Sequence, residues 1–283
     1  MNSHTGRQIA AVPLLVALLV AGHGCSRDDA RLSTDEALEL FELSHISPQF
    51  DVVREFLGAQ LVQPRATWTP EQFEVATRIV GEHLSTENLS RKILERLETQ
   101  PDPQFTDTVL EWLRTPEVRQ VHAAAATTTN AKAGAELKAF LAAEDRIQPS
   151  GERLALIERY DRAARRSSDS SSSLRLAIYG AGVMSDALLP SDARAGADAL
   201  RQFAEQKSEL LAPIFEELSA VMLQFAFRGM SDADVSAFVE RSESEPGQWY
   251  YGTLSNVFLD TLEEISSKLG AAFVTELESQ PDT

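Results

Sequence analysis

Between residues 251 and 273, apolar side chains return every three or four positions: Tyr251, Leu254, Phe258, Leu262, Ile265, Leu269 and Phe273. That spacing lays one stripe along a helix. Val257 and Ala272 widen it beyond a strict coiled-coil seam, which predicts bundle core rather than an oligomer zipper. Glu263, Glu264 and Lys268 lie off the stripe, with Glu264 and Lys268 as a favourable i,i+4 pair. Upstream, Val235, Phe238, Val239 and Ser242 mark a narrower helical face, opened by Ser231 and Asp234 as an approximate capping box. Between the two faces, Ser244-Glu245-Pro246-Gly247 predicts a tight turn. Ser244 caps, and Pro246 stands where its missing amide would be unpaired anyway.

The rest of the chain reads by the same arithmetic. Ser33 and Glu36 open a helix through Ser44 that carries Leu38, Phe41 and Leu43. Pro48 restarts the chain, and Phe50, Val53, Phe56, Leu57 and Leu61 form a second face. Residues 62–68, with Pro64, read as a linker. Thr69-Pro70-Glu71-Gln72 starts a helix with Phe73, Ala76, Ile79, Val80 and Leu84. Leu89, Ile93, Leu94 and Leu97 make the next, ended by Pro101 and Pro103. Then a weaker copy of the 227–273 pattern arrives. Val109, Leu110, Trp112 and Leu113 precede a Thr115-Pro116 turn, and an alanine-rich helix is predicted from Glu117 towards Glu144, weakened at Thr127 to Asn130. Set beside residues 237–250, residues 109–121 share an aromatic-bearing helix, a Ser/Thr-Pro turn and a following Gln, with Gly247 where the earlier copy has Val118. This predicts an internal repeat.

In the second half, Ser150 opens a helix with Leu154, Ile157 and Tyr160. The run RRSSDSSSS, residues 165–173, predicts an exposed loop or a frayed helix start. Residues 174–189 are apolar and contain Gly180 and Gly182; Pro190 breaks them. A long helix follows to about Arg228, with a bend expected at Pro213. No stretch alternates in the manner of a strand. The expected fold is all-α: a bundle of two divergent repeats, residues 33–146 and 149–280, each ending in a helix, a proline turn and a long helix.

Residues 1–24 read as an export signal. Arg7 precedes an apolar run from Ile9 to Ala21, too short to span a bilayer and interrupted by Pro13. Cys25 is the only cysteine, so no intramolecular disulfide is possible. Its position after Gly24 resembles the lipobox of bacterial lipoproteins, in which the thiol is acylated and the leader is cut before it. Gly22 and His23 depart from that pattern. The alternative is ordinary leader cleavage nearby, with Cys25 a bystander. Ser26 is compatible with outer-membrane sorting in such lipoproteins. The formal net charge is −17. Loss of Arg7 with the leader would make it −18. Such a chain is a poor nucleic-acid binder and is repelled by anionic lipid, so a covalent anchor would be its hold on the membrane.

At the paired turns the chain resembles the family catalogued as domain of unknown function 2059, helical proteins of Gram-negative envelopes. Ser244, Pro246, Gly247, Gln248, Trp249 and Tyr250 match that family's Ser-Pro-x-Gly-like turn in kind, the proline displaced by one. Ala37 to Leu43 is similar to its opening helix. The resemblance implies a helical fold at the periplasmic face of the envelope; it implies no activity, cofactor or catalytic residue.

The residues themselves also offer little chemistry. His45, His83 and His122 each stand alone in their helices, with no second metal ligand at i+3 or i+4. Gly180-Ala181-Gly182 lacks the third glycine and the strand of a dinucleotide site. Neither a G-x-S-x-G elbow nor a P-loop is present. No metal, cofactor or catalytic residue is therefore expected. Trp249 and Tyr250 are the candidate partner-binding residues, and Trp249 is expected against Phe238. The function expected is a non-enzymatic module that binds an envelope protein or peptide, or assists envelope assembly. The alternatives are a hydrolase-type enzyme with scattered catalytic groups, which a pocket with converging perturbed groups would favour, and a structural tether.

Overall fold

A computed structural model describes residues 31–62, 68–99, 104–125, 131–142 and 149–279. The leader, Cys25, Pro64, Pro101, Pro103 and Thr127 to Asn130 lie outside the described residues. Among the described residues there are twelve helices and no strand, so the chain is all-α. The first seven are α1 (Thr34–Ser44), α2 (Pro48–Gln60), α3 (Pro70–His83), α4 (Thr86–Glu98), α5 (Thr106–Leu113), α6 (Pro116–Ala125) and α7 (Ala131–Ala142). The remaining five are α8 (Gly151–Ala163), α9 (Arg166–Ala187), α10 (Ala197–Ala226), α11 (Asp232–Glu243) and α12 (Glu245–Ser279).

The caps explain where helices begin. Reciprocal capping boxes form at Ser33 with Glu36, Thr69 with Gln72 and Ser231 with Asp234. Asp234 is short for this role, yet its carboxylate still reaches the Ser231 amide at 3.3 Å. Ser85 and Ser150 cap α4 and α8 by accepting one amide each.

The α12 stripe is interior along its whole length, from Tyr251 to Phe273. Helix α12 packs against α3, α4, α5, α8, α9 and α11. One apolar core thus runs from Leu32 to Phe273 and takes side chains from both halves of the chain. Ring contacts mark the join: Phe50 lies 6.2 Å from Phe258, and Trp68 lies 5.3 Å from Phe273. Backbones also come close between α9 and α12, where a Cβ on Gly270 would stand 2.6 Å from the Val183 carbonyl oxygen. Gly180 faces Ser266 and Leu269 across the same contact, so its role is packing.

Both predicted turns separate two helices, and their hydrogen bonds correspond. Thr115 Oγ1 donates to the Trp112 carbonyl at 2.8 Å, and Ser244 Oγ donates to the Arg241 carbonyl at 2.6 Å. The carbonyls of Thr115 and Ser244 then accept from the amides of Arg119 and Gln248, four residues on. The partner helices differ: α6 has ten residues and α12 thirty-five. The single helix predicted from Glu117 is represented by α6 and α7.

Three further expectations are corrected. Leu38 and Leu154 are exposed, because the buried faces of their helices centre on Leu40 with Phe41 and on Leu156 with Ile157. The serine run is neither a loop nor frayed: α9 begins at Arg166 and includes it. Asp161 accepts from the Ser167 amide and hydroxyl at the helix start, and Ser170 Oγ folds back to the Arg166 carbonyl at 2.9 Å. These bonds occupy the groups through which serine competes with a helix. Glu264 does more than pair with Lys268, since Lys92 and Arg96 of α4 also reach it at 2.9 and 2.8 Å. Hydrogen bonds from Lys268 and Lys92 hold its pKa down at about 2.

Candidate functional site

Where α2, α9, α10 and α12 meet the α1–α2 junction, they enclose a cavity of about 230 Å³. Helix periodicity explains how each wall is supplied. On α9, Arg166, Asp169, Ser170 and Ser173 recur at helical spacing and present one face to it. On α12, Tyr250, Tyr251, Leu254, Ser255 and Phe258 do the same. Val52, Val53 and Phe56 of α2 and Phe215, Leu218 and Met222 of α10 line it with apolar side chains, and the Phe56 and Phe215 rings lie 5.9 Å apart. His45 and His122 complete the polar lining.

The two histidines, each alone in sequence, are brought together, with ring centroids 5.7 Å apart. His45 sits at the α1 C-cap with φ of 50°, a left-handed conformation that turns the chain towards α2. His122 is buried, and its Nδ1 lies 3.0 Å from the Leu43 carbonyl. A carbonyl only accepts, so Nδ1 carries the proton and Nε2 is left as an acceptor. Burial pushes the imidazole pKa down to about 4, against the Leu43 hydrogen bond that raises it. His122 is therefore neutral at pH 7. Two histidines are too few for a closed metal shell, and no cluster of three or more potential ligands occurs among the described residues.

Asp169 accepts from Ser255 Oγ at 2.8 Å. Burial pushes its carboxyl up to about 6, and the Ser255 bond and the cations of Arg165 and Arg166 only partly offset this. Tyr160 and Tyr251 share a hydroxyl–hydroxyl contact of 3.2 Å, and the nearby Arg166 charge favours the ionised form of Tyr160, against burial. Burial raises the pKa of Tyr160, Tyr250 and Tyr251, so these phenols stay protonated at neutral pH.

The residues singled out from sequence fall in and around this region. Tyr250 is 1% exposed, and its ring packs against Trp112 and Tyr251. Trp249 is half-buried, but not against Phe238; it meets Phe105, ahead of α5, with centroids 6.4 Å apart. Phe238 is already enclosed by Trp112, Tyr160 and Phe227. Of the five turn residues, Thr115 and Ser244 stand between helices, whereas Pro116 is the first residue of α6 and Pro246 and Gly247 lie in the first turn of α12, so the second turn is shorter than read. Sequence reasoning missed Arg166 and Asp169, because both lie in the serine run read as loop.

Helix α10 shows a second feature. From Ala204 to Ser219 its buried positions are small or polar, Ala204, Ser208 and Ser219, and only its last turn buries the larger Leu223 and Phe225. Over the same stretch four large apolar side chains point out: Phe203 at 52% exposure, Leu210 at 73%, Ile214 at 58% and Leu218 at 54%. Small residues on the packed face let α10 lie close along α9. Glu205, Glu209, Glu216 and Glu217 are exposed around the outward apolar line, with Arg201 and Lys207 towards its start.

Comparison with protein-family models, with curated proteins and with solved structures finds no match in any of the three.

Proposed function

We propose that this protein is a non-enzymatic binding module of the bacterial envelope. In this reading Cys25 carries a lipid that holds it at the periplasmic face, on the outer membrane. The helix pairs at the two proline turns are divergent copies of one unit, as the resemblance to the domain of unknown function 2059 family implies. The observation that carries the reading is the reversed polarity of α10 from Phe203 to Ser219, with small side chains inward and Phe203, Leu210, Ile214 and Leu218 outward. An apolar line of this kind on a soluble surface marks a docking site, and a bare tether needs none.

Charge selects the occupant. A second copy would bring the same acidic flank and another −17, so self-association is disfavoured. A partner's basic amphipathic helix satisfies both the apolar line and the glutamates beside it.

The test uses two synthetic amphipathic helices with leucine on one face and lysine or glutamate on the other. The full-length protein binds the lysine peptide and not the glutamate peptide. Leu210→Asp with Ile214→Asp weakens lysine-peptide binding at least about tenfold, since losing either apolar contact is worth ~1.5 kcal/mol or more. The double variant adds negative charge, so unspecific attraction to a cation would strengthen instead. Undiminished binding by the variant overturns the reading. The anchor has its own check: metabolic labelling with a fatty-acid analogue marks the wild-type protein and not Cys25→Ser, and an unlabelled wild type refutes lipidation.

A hydrolase-type enzyme is the second reading, favoured by the gathering of His122, Asp169 and several serines at one cavity. The hydrogen bonds run against it. His122 Nδ1 is engaged by the Leu43 backbone and Asp169 by Ser255, and no serine hydroxyl is held against an imidazole among the described residues.

A further inference from the structure

The cavity holds two opposite charges that do not neutralise each other by contact. Arg166 and Asp169 both line it, one helical turn apart on α9. Side chains at this spacing have Cβ atoms roughly 5–6 Å apart and commonly pair. Here neither residue enters a salt bridge among the described residues. Asp169 instead accepts from Ser255. A half-buried charge without an ion-pair partner costs free energy unless something else compensates it. A ligand of matching charge would do so.

Each charge specifies the group it would take. The guanidinium presents its donors in a planar fork that suits a carboxylate. The Asp169 carboxylate only accepts, and Ser255 uses part of its capacity, so it would take an ammonium group. Phe56 and Phe215 close over the remaining space with Val52 and Met222, which suits an aliphatic body. Size is consistent: an apolar cavity of about 150 Å³ holds a benzene molecule, and this one is about 230 Å³.

We infer that this cavity is a binding site for a small zwitterion with an apolar body, a free α-amino acid of leucine size. Its carboxylate lies at Arg166, its ammonium at Asp169, and its side chain against Phe56 and Phe215. The site shares Leu218 with the outward face of α10 but neither Leu210 nor Ile214, so either can fail without the other.

Calorimetric titration of the full-length protein decides it, with leucine and three analogues as probes. Isoamylamine lacks the carboxylate, isocaproate lacks the ammonium, and isoamyl alcohol lacks both. Leucine binds saturably and at least about tenfold more tightly than any of the three, the factor that a single charge-assisted bond of ~1.4 kcal/mol supplies. Asp169→Asn lowers leucine affinity by a similar factor and leaves isocaproate unchanged. Arg166→Gln does so and leaves isoamylamine unchanged. Absence of saturable leucine binding overturns the assignment, and so does isoamyl alcohol binding as tightly as leucine. The analogue series on the wild-type protein stands even where a variant fails to fold.

Discussion

Truncating Trp112 to alanine should destabilise the protein by about 3–5 kcal/mol, the range for a large aromatic lost from a packed interior. The indole is 6% exposed. Its ring lies 5.7 Å from Phe238, 6.0 Å from Tyr250 and 6.1 Å from Tyr251. It belongs to α5, in the first half of the chain, and all three of those partners belong to α11 or α12 in the second. Trp112→Ala therefore opens a void where the halves meet, and three rings lose a neighbour together, Tyr250 and Tyr251 in edge-to-face contacts and Phe238 in a tilted one. Denaturant unfolding of the full-length protein measures it: the midpoint should fall with little change in slope. Trp249→Ala is the internal comparison. Among the described residues that half-buried indole has one ring neighbour, Phe105, and its loss should cost less. Equal losses for the two would show that Trp112 is not the joint described above.

Gly247→Ala should cost about 3 kcal/mol, at the upper end of what an inserted methyl does in a packed site. Helix propensity argues the other way, since alanine is favoured over glycine by about 1 kcal/mol in a helix interior. Packing decides the sign. A Cβ on Gly247 would stand 2.4 Å from the Arg241 carbonyl oxygen and 2.6 Å from that of Ser242. Both are backbone atoms at the end of α11 and cannot swing aside. They are also already used: Ser244 Oγ donates to the first at 2.6 Å, and Gln248 Nε2 donates to the second at 2.8 Å. Gln248 Nε2 also reaches the Ala163 carbonyl at 3.1 Å, tying α8 to the turn. Making room for a methyl separates the helices and loosens these bonds. Gly81→Ala provides the opposite case: nothing lies within 4 Å of its added Cβ. That substitution, within α3, should stabilise by about 0.5–1 kcal/mol. Thermal melts of the two variants should move in opposite directions, and a stabilised Gly247→Ala would show that the turn is open.

Much of the fold was legible because its signals are local. A capping box joins residues three apart, and an apolar stripe joins residues three or four apart, so a short window contains the whole interaction. Ser33, Thr69 and Ser231 open helices, as read, and every predicted member of the α12 stripe is buried. The hydroxyl-and-proline turns at Thr115 and Ser244 are local in the same sense. The serine run at residues 165–173 shows where this reasoning ends. Its composition favours a loop, but Asp161 at the helix start and Ser255 of α12 supply partners that composition does not reveal.

The sequence by itself thus determined the helical class, most helix boundaries and which face of α12 is interior. Tertiary structure alone decided the sites. His45 and His122 are 77 positions apart in sequence, and their rings meet only because α1 and α6 converge. Trp249 faces Phe105 because Trp112 and Tyr160 already occupy the surface of Phe238. On α10, periodicity marks Leu210, Ile214 and Leu218 as an apolar face but not as an outward one. That choice fell to α9, whose close approach needs Ala204 and Ser208 between the helices. Periodicity reports which residues share a face, whereas the direction of the face follows from the steric fit of surfaces far apart in the chain.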